Sequence, residues 1–390
     1  MRILMLNYEY PPLGGGGGIF TRDLAEHFAC TGHRVDVITT GSKGLKINET
    51  VNNVNIYRVP VMGRSSIHVA SLISLLSFPI PSMIRGMILM GKTGYDIINT
   101  HFAVPTGPTG YLLSKMYNVP NVLTVHGGDI SGPGKEYSPD RNFFFRLAVK
   151  HVLMTADAVI AQSTALKKFA EDIYAPARSI DIIPLGIRPM EQRTAAGRGE
   201  KGTIRLISVG TMKKVKRFDV LLKAFRSASE VSNNIRLTLV GDGPERGYLE
   251  NLSEELGIKD LVLFTGWLSG DAKYEHLLTS DIFVLPSLHE SFGIVLLEAM
   301  ASGLPIISTD RGGQRDIIKD RENGLLVPPD DQDKLASAIS ELCADNALRE
   351  RIAIVNKKTS ESYTIQDVAR RYLALFQNII SKKTGINIQS

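Results

Sequence analysis

Two glutamates, Glu290 and Glu298, mark the stretch of this chain whose residue types and spacing best suit chemistry. Glu290 follows an apolar run with strand character and a Pro-Ser turn, and it precedes an apolar helical pattern that continues to Ala301. Because the start of a helix presents free backbone N–H groups and the positive end of the helix dipole, an anion is stabilised there. Glu298 lies further along the same helix, at roughly 12 Å for a rise of 1.5 Å per residue. The pattern predicts acidic groups at the two ends of an extended ligand.

Four residues directly after Glu290 complete this predicted site. The backbone N–H groups of Phe292, Gly293 and Ile294 can donate to a diphosphate, and Gly293 allows the ligand to approach closely. Ser291 lies beside them. The distance between the two glutamates is comparable to the length of a nucleotide sugar from sugar to ribose. The alternative is a pair of glutamates on an ordinary amphipathic helix.

The pattern of Glu, seven residues and Glu, with Phe-Gly after the first acid, resembles the retaining glycosyltransferases of GT-B architecture, the glycosyltransferase group 1 / family 4 enzymes. The resemblance implies a catalytic role for Glu290, which would hold sugar hydroxyls and stabilise an oxocarbenium-like centre. It implies that Glu298 binds the donor's ribose. Ser291, Phe292 and Gly293 would also bind the donor.

A basic cluster opens the second half of the chain, after a predicted strand at 204–209. The family has Gly-Arg followed by Lys at this place, and both cations contact the donor diphosphate. Gly210 and Lys216 match this pattern, whereas Thr211 stands where the family has Arg and cannot provide a bidentate contact with phosphate. Three further cations are candidates for the missing charge: Lys213, Lys214 and Arg217. The alternative is a solvated basic turn.

Two more turns of the second half resemble the nucleotide-binding domain of the family. Gly241 begins a Gly-Asp-Gly-Pro loop between a strand and a helix, which we interpret mainly as a structural turn with its glycines beside the nucleotide. Leu268 follows Gly266-Trp267. The resemblance implies that Leu268 packs on the nucleobase.

A run of five glycines, ending in Gly16, Gly17 and Gly18, follows the first predicted strand. A glycine loop between a strand and a helix can hold phosphate with backbone N–H groups, and the family has such a loop against the donor phosphates. The alternative is a flexible surface loop. Neither half of the chain has the GxGxxG spacing with a downstream acid, so a nicotinamide-dependent dehydrogenase is not expected.

Two histidines, His101 and His126, stand at the ends of predicted strands. Polar residues at the carboxyl ends of parallel strands are typical of active sites. His126 lies in a Thr-Val-His-Gly sequence that resembles the acceptor-side motif of the family, which implies that this histidine approaches the transferred sugar. We expect His101 to line the same acceptor cleft. The alternative for both is a histidine that bonds only to nearby backbone.

Strand and helix patterns alternate in both halves of the chain, which predicts two doubly wound parallel sheets. We predict strands at 3–6, 35–39, 96–100, 121–125 and 158–162, and again at 204–209, 236–240, 261–264, 282–285 and 306–309. The fold expected is α/β with GT-B architecture: two Rossmann-like domains with a deep cleft between them. An acceptor domain would span 1–188, joined by a C-terminal helix at 365–390. A donor domain would span 203–364, after a polar linker.

The composition fits a globular protein of two domains. The chain has 390 residues, of which 43% are hydrophobic and 22% are charged, and its formal net charge is +5. No basic stripe with interleaved aromatic residues is present, so a nucleic-acid partner is not expected. The two cysteines follow no disulfide or metal spacing, and the apolar start is too short for a signal peptide. These features favour a reduced, cytoplasmic compartment.

The stretch 65–84 is apolar and has no Asp, Glu, Lys or Arg. Its length barely suffices to span a bilayer, and Pro79 and Pro81 interrupt it. Three alternatives remain: a transmembrane span, a buried packing element, or an interfacial segment that meets a membrane beside Arg64, Arg85 and Lys92.

The resemblance therefore implies a retaining hexosyltransferase. Its donor would be a UDP- or GDP-sugar, which is a co-substrate, and no other cofactor is expected. Its acceptor would be a glycan or a lipid-linked molecule of cell-envelope polysaccharide or glycolipid synthesis, and the enzyme would be cytoplasmic or peripheral on the inner face of the membrane. No Asp-x-Asp pair ends a strand, so we expect no metal requirement. Two alternatives remain: a nucleotide-sugar epimerase of the same fold, and a non-catalytic nucleotide-sugar-binding subunit.

Overall fold

The computed structural model describes residues 1–64, 71–132, 138–189, 202–232, 234–268 and 270–384. The chain divides into two units, of which the first comprises Met1–Arg188 with Ile365–Ser390 and the second comprises Pro189–Thr364. Most of the predicted linker, the start of the predicted apolar stretch and the end of the predicted last helix lie outside the described residues. Each unit is built on one sheet with helices on its faces.

The sheet of the first unit has eight strands in the order β3-β4-β2-β1-β5-β6-β7-β8, and all neighbours are parallel except β3 and β4. The strands are β1 (Arg2–Asn7), β2 (Arg34–Thr40), β3 (Asn48–Val51), β4 (Val54–Val59), β5 (Ile97–His101), β6 (Asn121–Thr124), β7 (Ala158–Ala161) and β8 (Asp181–Ile182). The predicted alternation is confirmed, but β3, β4 and β8 were not predicted. β3 is polar and mostly exposed, and β8 has two residues, so neither has the apolar run of a buried strand.

The sheet of the second unit has six parallel strands in the order β11-β10-β9-β12-β13-β14. The strands are β9 (Ile204–Val209), β10 (Ile235–Val240), β11 (Val262–Gly266), β12 (Ile282–Leu285), β13 (Ile306–Thr309) and β14 (Leu325–Val327). All residues of β12 and β13 are buried, as expected for strands covered on both faces. The three-residue strand β14 was not predicted.

The helices complete the layers of both units. They are α1 (Gly16–Cys30), α2 (Leu72–Ser77), α3 (Pro79–Lys92), α4 (Gly107–Tyr117), α5 (Phe143–Thr155), α6 (Thr164–Ile173), α7 (Phe218–Val231), α8 (Arg246–Glu255), α9 (Gly270–Leu278), α10 (Ile294–Ala301), α11 (Gln314–Ile317), α12 (Gln332–Ala344), α13 (Asn346–Ser360) and α14 (Ile365–Thr384). Right-handed crossovers place α3, α4 and α5 on one face of the first sheet and α1 on the other. The terminal helix α14 packs on α1, where the rings of Phe28 and Phe376 lie 5.9 Å apart.

The glycine loop after β1 is shorter than the sequence predicts. Gly16, Gly17 and Gly18 form the first turn of α1, so only Gly14 and Gly15 belong to the loop. The carboxylate of Glu9 accepts a hydrogen bond from the N–H of Gly15 at 3.0 Å, which begins the helix early because a carboxylate is stabilised at a helix start. The prediction that these three glycines form a loop is therefore wrong, although the N–H groups of a first helical turn are still available to an anion.

Both sheets have a switch point, where the chain leaves a central strand first to one side and later to the other. In the first sheet β1 lies between β2 and β5, and in the second β9 lies between β10 and β12. Loops at the carboxyl ends of the two strands beside a switch point diverge and leave a crevice in which ligands bind. A ligand site is therefore expected in the loops that follow β1 and β5 and in those that follow β9 and β12.

Candidate active site

In the second unit the loops after β9 and β12 are joined across the switch point. The N–H of Leu288 donates to the carbonyl of Val215 at 2.9 Å. The ammonium group of Lys216 forms an ion pair with Oε1 of Glu290, and both side chains are largely buried. The predicted phosphate-binding lysine and the predicted catalytic glutamate therefore meet, although 74 residues separate them in the chain.

A third loop, after β13, closes over Glu290. The N–H of Gly313 donates to the Glu290 carbonyl at 2.9 Å. A Cβ added at Gly312 would lie 2.9 Å from that carbonyl oxygen, and one added at Gly313 would overlap the carbonyl of Ser291. Only glycine fits at this approach, and the contact fixes the main chain on either side of Glu290.

Helix α10 begins directly after this loop and directs its N–H groups toward it. Gly293 has φ 95°, a left-handed conformation that turns the chain into the helix. The N–H groups of Phe292, Gly293 and Ile294 have no acceptor within the described ranges. The Phe292 side chain is buried and packs on Tyr363 with ring centroids 6.1 Å apart. The helix start is thus rigidly held and open to an anion.

Glu298 is buried in the second turn of α10 and is held by α9. Oε1 of Glu298 lies 2.5 Å from the ammonium nitrogen of Lys273 and accepts from the hydroxyl of Tyr274 at 3.4 Å. Its other oxygen, Oε2, is buried and has no partner among the described residues. An unpaired buried oxygen carries an energetic cost that a ligand hydroxyl can remove. The structure thus leaves one acceptor position on Glu298 for a ligand.

The glycine turns at the base of this site interlock the loops after β9 and β10. A Cβ at Gly241 would overlap the carbonyl of Gly210, and one at Gly243 would lie 2.5 Å from the carbonyl of Met212. The N–H of Gly241 also donates to the carbonyl of Gly266 at 2.9 Å, just before Leu268, whose side chain is half-buried. Thr211 lies at the start of the first loop, where its carbonyl accepts from the N–H of Lys213.

The sequence did not indicate a functional role for two residues of this region, Lys273 and His289. Lys273 lies on α9, a helix whose sequence has only a weak amphipathic pattern. His289 was passed over because it stands beside a stronger candidate, Glu290. Burial lowers the pKa of His289 although the neighbouring Glu290 carboxylate raises it, and Nε2 of His289 is buried without a partner among the described residues.

In the first unit, His101 and His126 belong to one chain of hydrogen bonds at the carboxyl end of the sheet. The amide Nε2 of Gln162 donates to Nδ1 of His126 at 2.6 Å. Nε2 of His126 then donates to Nδ1 of His101 at 3.0 Å, and Nε2 of His101 donates to Oδ1 of Asn99 at 2.8 Å. Each imidazole therefore accepts one hydrogen bond and donates one, which requires both rings to be neutral.

The electrostatics of this chain agree with neutral rings. Burial lowers the pKa of His126 to about 3. Burial, and next the adjacent His126, hold the pKa of His101 well below its usual range. Neither Gln162 nor Asn99 was predicted as a site residue: Gln162 follows β7 and its partner His126 is distant in the chain, and Asn99 is an ordinary polar residue within β5.

The start of α1 packs directly on these rings. The Phe102 ring lies 4.4 Å from that of His126, centroid to centroid, and Phe102 has φ 71°, in the left-handed region. A Cβ at Gly17 would lie 2.9 Å from Phe102 Cζ and 3.3 Å from His126 Nδ1. Gly18 lies against the carbonyl of Glu9, where a Cβ would lie 2.9 Å away. The first helical turn after β1 thus packs against His126, whereas His101, the last residue of β5, is fully buried.

Metal ligands are not concentrated anywhere in the part of the chain that the structure describes. Within those ranges no group of three or more His, Cys, Asp or Glu side chains is placed to hold a metal ion.

Comparison with known proteins gives matches over most of the chain. A family model described as Glycosyltransferase Family 4 matches residues 14–190, and one described as Glycosyl transferases group 1 matches residues 191–359. An uncharacterized glycosyltransferase of Methanocaldococcus jannaschii is 31% identical over 97% of this chain and 98% of its own length.

Solved structures of similar fold include a sucrose-phosphate synthase from Thermosynechococcus elongatus, with a TM-score of 0.85, 23% identity and coverage of 98% of this chain and 99% of that one. HepE of Anabaena, solved in complex with UDP-glucose, has a TM-score of 0.78, 19% identity and coverage of 97% and 100%. These likenesses show the GT-B fold. Since the two family models together with the archaeal relative span nearly the whole sequence, the chain belongs to the group 1 / family 4 glycosyltransferases.

Proposed function

We propose that this glycosyltransferase is a retaining enzyme that moves a sugar from a UDP- or GDP-sugar to a glycan or lipid-linked acceptor in cell-envelope polysaccharide or glycolipid synthesis. One observation carries the proposal. Lys216, Glu290 and the free N–H groups at the start of α10 meet at the switch point of the second sheet, and Glu298 offers an unpaired buried oxygen on the same helix. These groups fit a ligand with a diphosphate between two hydroxyl-bearing rings.

The donor is held in this proposal by groups of matching chemistry. Oε2 of Glu298 accepts from a ribose hydroxyl. The ammonium of Lys216 and the N–H groups of Phe292, Gly293 and Ile294 donate to the diphosphate. Donors that are already fixed in position favour the charge that develops on the diphosphate as it leaves. Leu268 packs on the base.

The transfer itself follows a same-face displacement. The bond between the anomeric carbon and the diphosphate oxygen breaks, and the acceptor oxygen bonds to that carbon from the same side. The leaving phosphate takes the acceptor's proton, so the products are the glycosylated acceptor and a nucleoside diphosphate. Glu290 holds the sugar's hydroxyls and stabilises the positive charge that builds on the ring. No covalent sugar–enzyme intermediate is required.

His126 contributes on the side of the first unit. Its Nδ1 accepts from Gln162, and its Nε2–H points to His101. To hydrogen-bond a sugar hydroxyl, Nδ1 of His126 must exchange the bond to Gln162 for one to the sugar. His101 then acts by holding the tautomer of His126, and in this proposal the N–H groups of Gly16, Gly17 and Gly18 at the start of α1 are available to a donor phosphate.

The proposal includes independence from divalent metal ions and from any cofactor besides the nucleotide sugar. Its basis is that Lys216 and a helix start already supply positive charge to the diphosphate. Transfer that stops on treatment with EDTA, and resumes with added magnesium, would contradict this part.

Donor identity is tested first by ligand stabilisation. The full chain is screened by thermal shift against UDP- and GDP-sugars, because a tight ligand stabilises the folded state by mass action. UDP-glucose is the first donor to try, since HepE was solved with it. We expect one donor to raise the melting temperature of the wild type. Its apparent affinity should be at least about tenfold lower for Glu298→Ala, because the variant lacks a hydrogen bond to a charged group. Equal affinity in the variant would contradict the ribose assignment.

Reaction type is tested by product analysis. The selected donor is incubated with the enzyme, with and without a panel of glycan and lipid-linked acceptors. Anomeric configuration is read by NMR. A product with the donor's own anomeric configuration supports retention, and an inverted product contradicts it. Conversion of the donor alone to its epimer would overturn the proposal in favour of an epimerase.

A further inference from the structure

The outer side of the helix layer formed by α2, α3, α4 and α5 is unusually apolar. Within the described residues 19 large hydrophobic side chains are exposed, and 12 of them lie on these four helices. The whole second unit has four. A contiguous exposed apolar patch on a protein marks an interaction site. We call this surface the apolar helical face.

The stripe on α2 and α3 is the centre of this face. Five exposed side chains recur at spacings of three and four residues along one side: Ile73, Leu76, Ile80, Ile84 and Ile88. Ile80 is 73% exposed. The segment Leu72–Lys92 is long and apolar enough to cross a membrane by length and composition. Only 28% of its most apolar 18-residue stretch is buried.

The opposite side of the same segment is fixed to the first unit. The Ser82 hydroxyl hydrogen-bonds that of Thr109 on α4 at 2.8 Å. A Cβ added at Gly86 would lie 2.5 Å from Leu113, so the two helices touch there. Because this side is docked on α4 and on the sheet, the segment lies along the surface of the unit with its isoleucines outward and does not leave the fold to span a bilayer.

Helices α4 and α5 extend the face sideways. They pack on each other where Gly107 approaches Val152 and where the rings of Tyr111 and His151 lie 4.6 Å apart. Their exposed apolar side chains are Leu112, Met116 and Tyr117 on α4 and Phe143, Phe144, Leu147 and Met154 on α5. Phe144 is 78% exposed. Exposed phenylalanine rings on the apolar side of a helix are suited to insertion into a membrane interface, where interfacial helices bury Trp, Phe and Leu.

The charges on these helices have one sign. None of α2, α3, α4 and α5 contains Asp or Glu, whereas every other α-helix of the described chain has at least one. They carry five cations: Arg85, Lys92, Lys115, Arg146 and Lys150. None of the five forms an ion pair with a carboxylate in the ranges that the structure covers. An apolar surface with unneutralised cations is complementary to an anionic lipid surface.

We propose that the apolar helical face binds the surface of a membrane that contains anionic lipids. A second copy of this chain fits the face less well, because a two-fold interface would place the same patches of cations against each other. A bilayer has both the apolar interior that the isoleucines and phenylalanines require and the negative surface that the five cations require.

The face also has a defined position relative to the site. α2, α4 and α5 each follow a strand's carboxyl end, so Ile73, Phe143 and Phe144 lie toward the edge of the sheet that carries His101 and His126. An acceptor held in the bilayer would therefore meet the acceptor side of the first unit. This last step depends on the proposed function, whereas membrane binding itself does not.

The test is vesicle flotation of the full chain. We expect it to float with vesicles of phosphatidylcholine and phosphatidylglycerol and to bind at least about tenfold less to phosphatidylcholine alone, because each cation near an anionic surface adds about fivefold in partitioning. Ile80→Glu combined with Ile84→Glu should lower binding at least about tenfold by removing two buried aliphatic side chains from the lipid. Lys115→Glu with Arg146→Glu and Lys150→Glu should lower binding to the anionic vesicles in the same way.

The second unit provides a matched control. Val231 and Ile354 are as exposed as Ile80, at 77% and 71%, so Val231→Glu with Ile354→Glu makes the same chemical change away from the face. This control should bind vesicles as the wild type does. Circular dichroism melting verifies that all variants fold.

Three outcomes would overturn the proposal: a wild type that does not float, a loss of binding in the control equal to that in Ile80→Glu with Ile84→Glu, or a dimer by light scattering that the isoleucine variant abolishes while vesicles are not bound. Each is read without any sugar transfer, so failure of the membrane proposal is separate from failure of the proposed reaction.

Discussion

The ammonium nitrogen of Lys273 lies 2.5 Å from Oε1 of Glu298, and both side chains are almost fully buried. The pair joins α9 to α10 and fixes the carboxylate with one oxygen engaged and the other unpaired. Burial of an ion pair removes both charged groups from water. A carboxylate with only one hydrogen-bonded oxygen recovers little of that desolvation cost. The arrangement therefore indicates a carboxylate held in position for a ligand.

The first prediction concerns the stability of this pair. Lys273→Met leaves Glu298 as an unpaired buried carboxylate and should lower the free energy of unfolding by about 3 kcal/mol. Lys273→Met with Glu298→Gln should recover most of the loss, because no charge remains buried. Urea denaturation of the single and double variants measures both values. A Lys273→Met protein as stable as the wild type would show that Lys273 does not stabilise the buried Glu298 carboxylate.

The second prediction concerns turnover. Glu290→Ala should lower kcat by about 10²- to 10³-fold while the fold survives, because a fixed group that stabilises transition-state charge is lost. Lys216→Ala should lower kcat/KM comparably, since it also removes the ion-pair partner of Glu290. Steady-state kinetics with the donor found by thermal shift provide the values.

Its control is Lys358→Ala, which removes a lysine from the exposed side of α13. This variant should have the kinetics of the wild type. Near wild-type turnover in Glu290→Ala would remove Glu290 from the mechanism.

The third prediction concerns the contact of α1 with the histidines. Gly17→Ala places a methyl group 2.9 Å from Phe102 and 3.3 Å from His126, so the rings must shift. We expect activity to fall at least about tenfold and stability to fall by about 1–3 kcal/mol, as for overpacking. Gly15→Ala is the matched control, since a Cβ there meets nothing within 4 Å. Equal effects in the two variants would mean that helix propensity, and not the ring contact, governs the result.

The fourth prediction concerns pH. Burial holds the pKa of His126 at about 3, whereas the unfolded chain binds a proton near the ordinary value of about 6.5. Between these values the unfolded state binds more protons, so the free energy of unfolding rises with pH and is lost on acidification. From pH 7 to about 5.5 the loss should be about 1 kcal/mol for each such histidine.

The measurement compares urea denaturation of the wild type and His126→Gln at these two pH values, above the range in which most carboxylates titrate. The variant should lose about 1 kcal/mol less on acidification. An identical pH dependence in both proteins would mean that His126 takes up a proton in the folded state as readily as in the unfolded one.

The sequence predicted much of the framework because local patterns carry it. Apolar runs of four to six residues identified the buried parallel strands, and alternation with helical patterns indicated two doubly wound sheets. It also placed Glu290 and Gly293 between strand β12 and helix α10. Short or polar strands such as β3, β8 and β14 were not predicted, because pairing with neighbouring strands and not their own composition makes them strands.

What the tertiary structure decided depends on residues that are distant in the chain. The strand order brings Lys216 to Glu290 and Gln162 to His126, and helix packing brings Lys273 to Glu298; no periodicity in the sequence encodes these pairs. The same holds for the apolar stretch. Its hydrophobicity was evident from the residues, but which side of α3 is covered depends on the neighbouring helix. Sequence therefore determined which groups are available and where along the elements they stand, whereas the order and packing of those elements determined which groups meet and which face solvent.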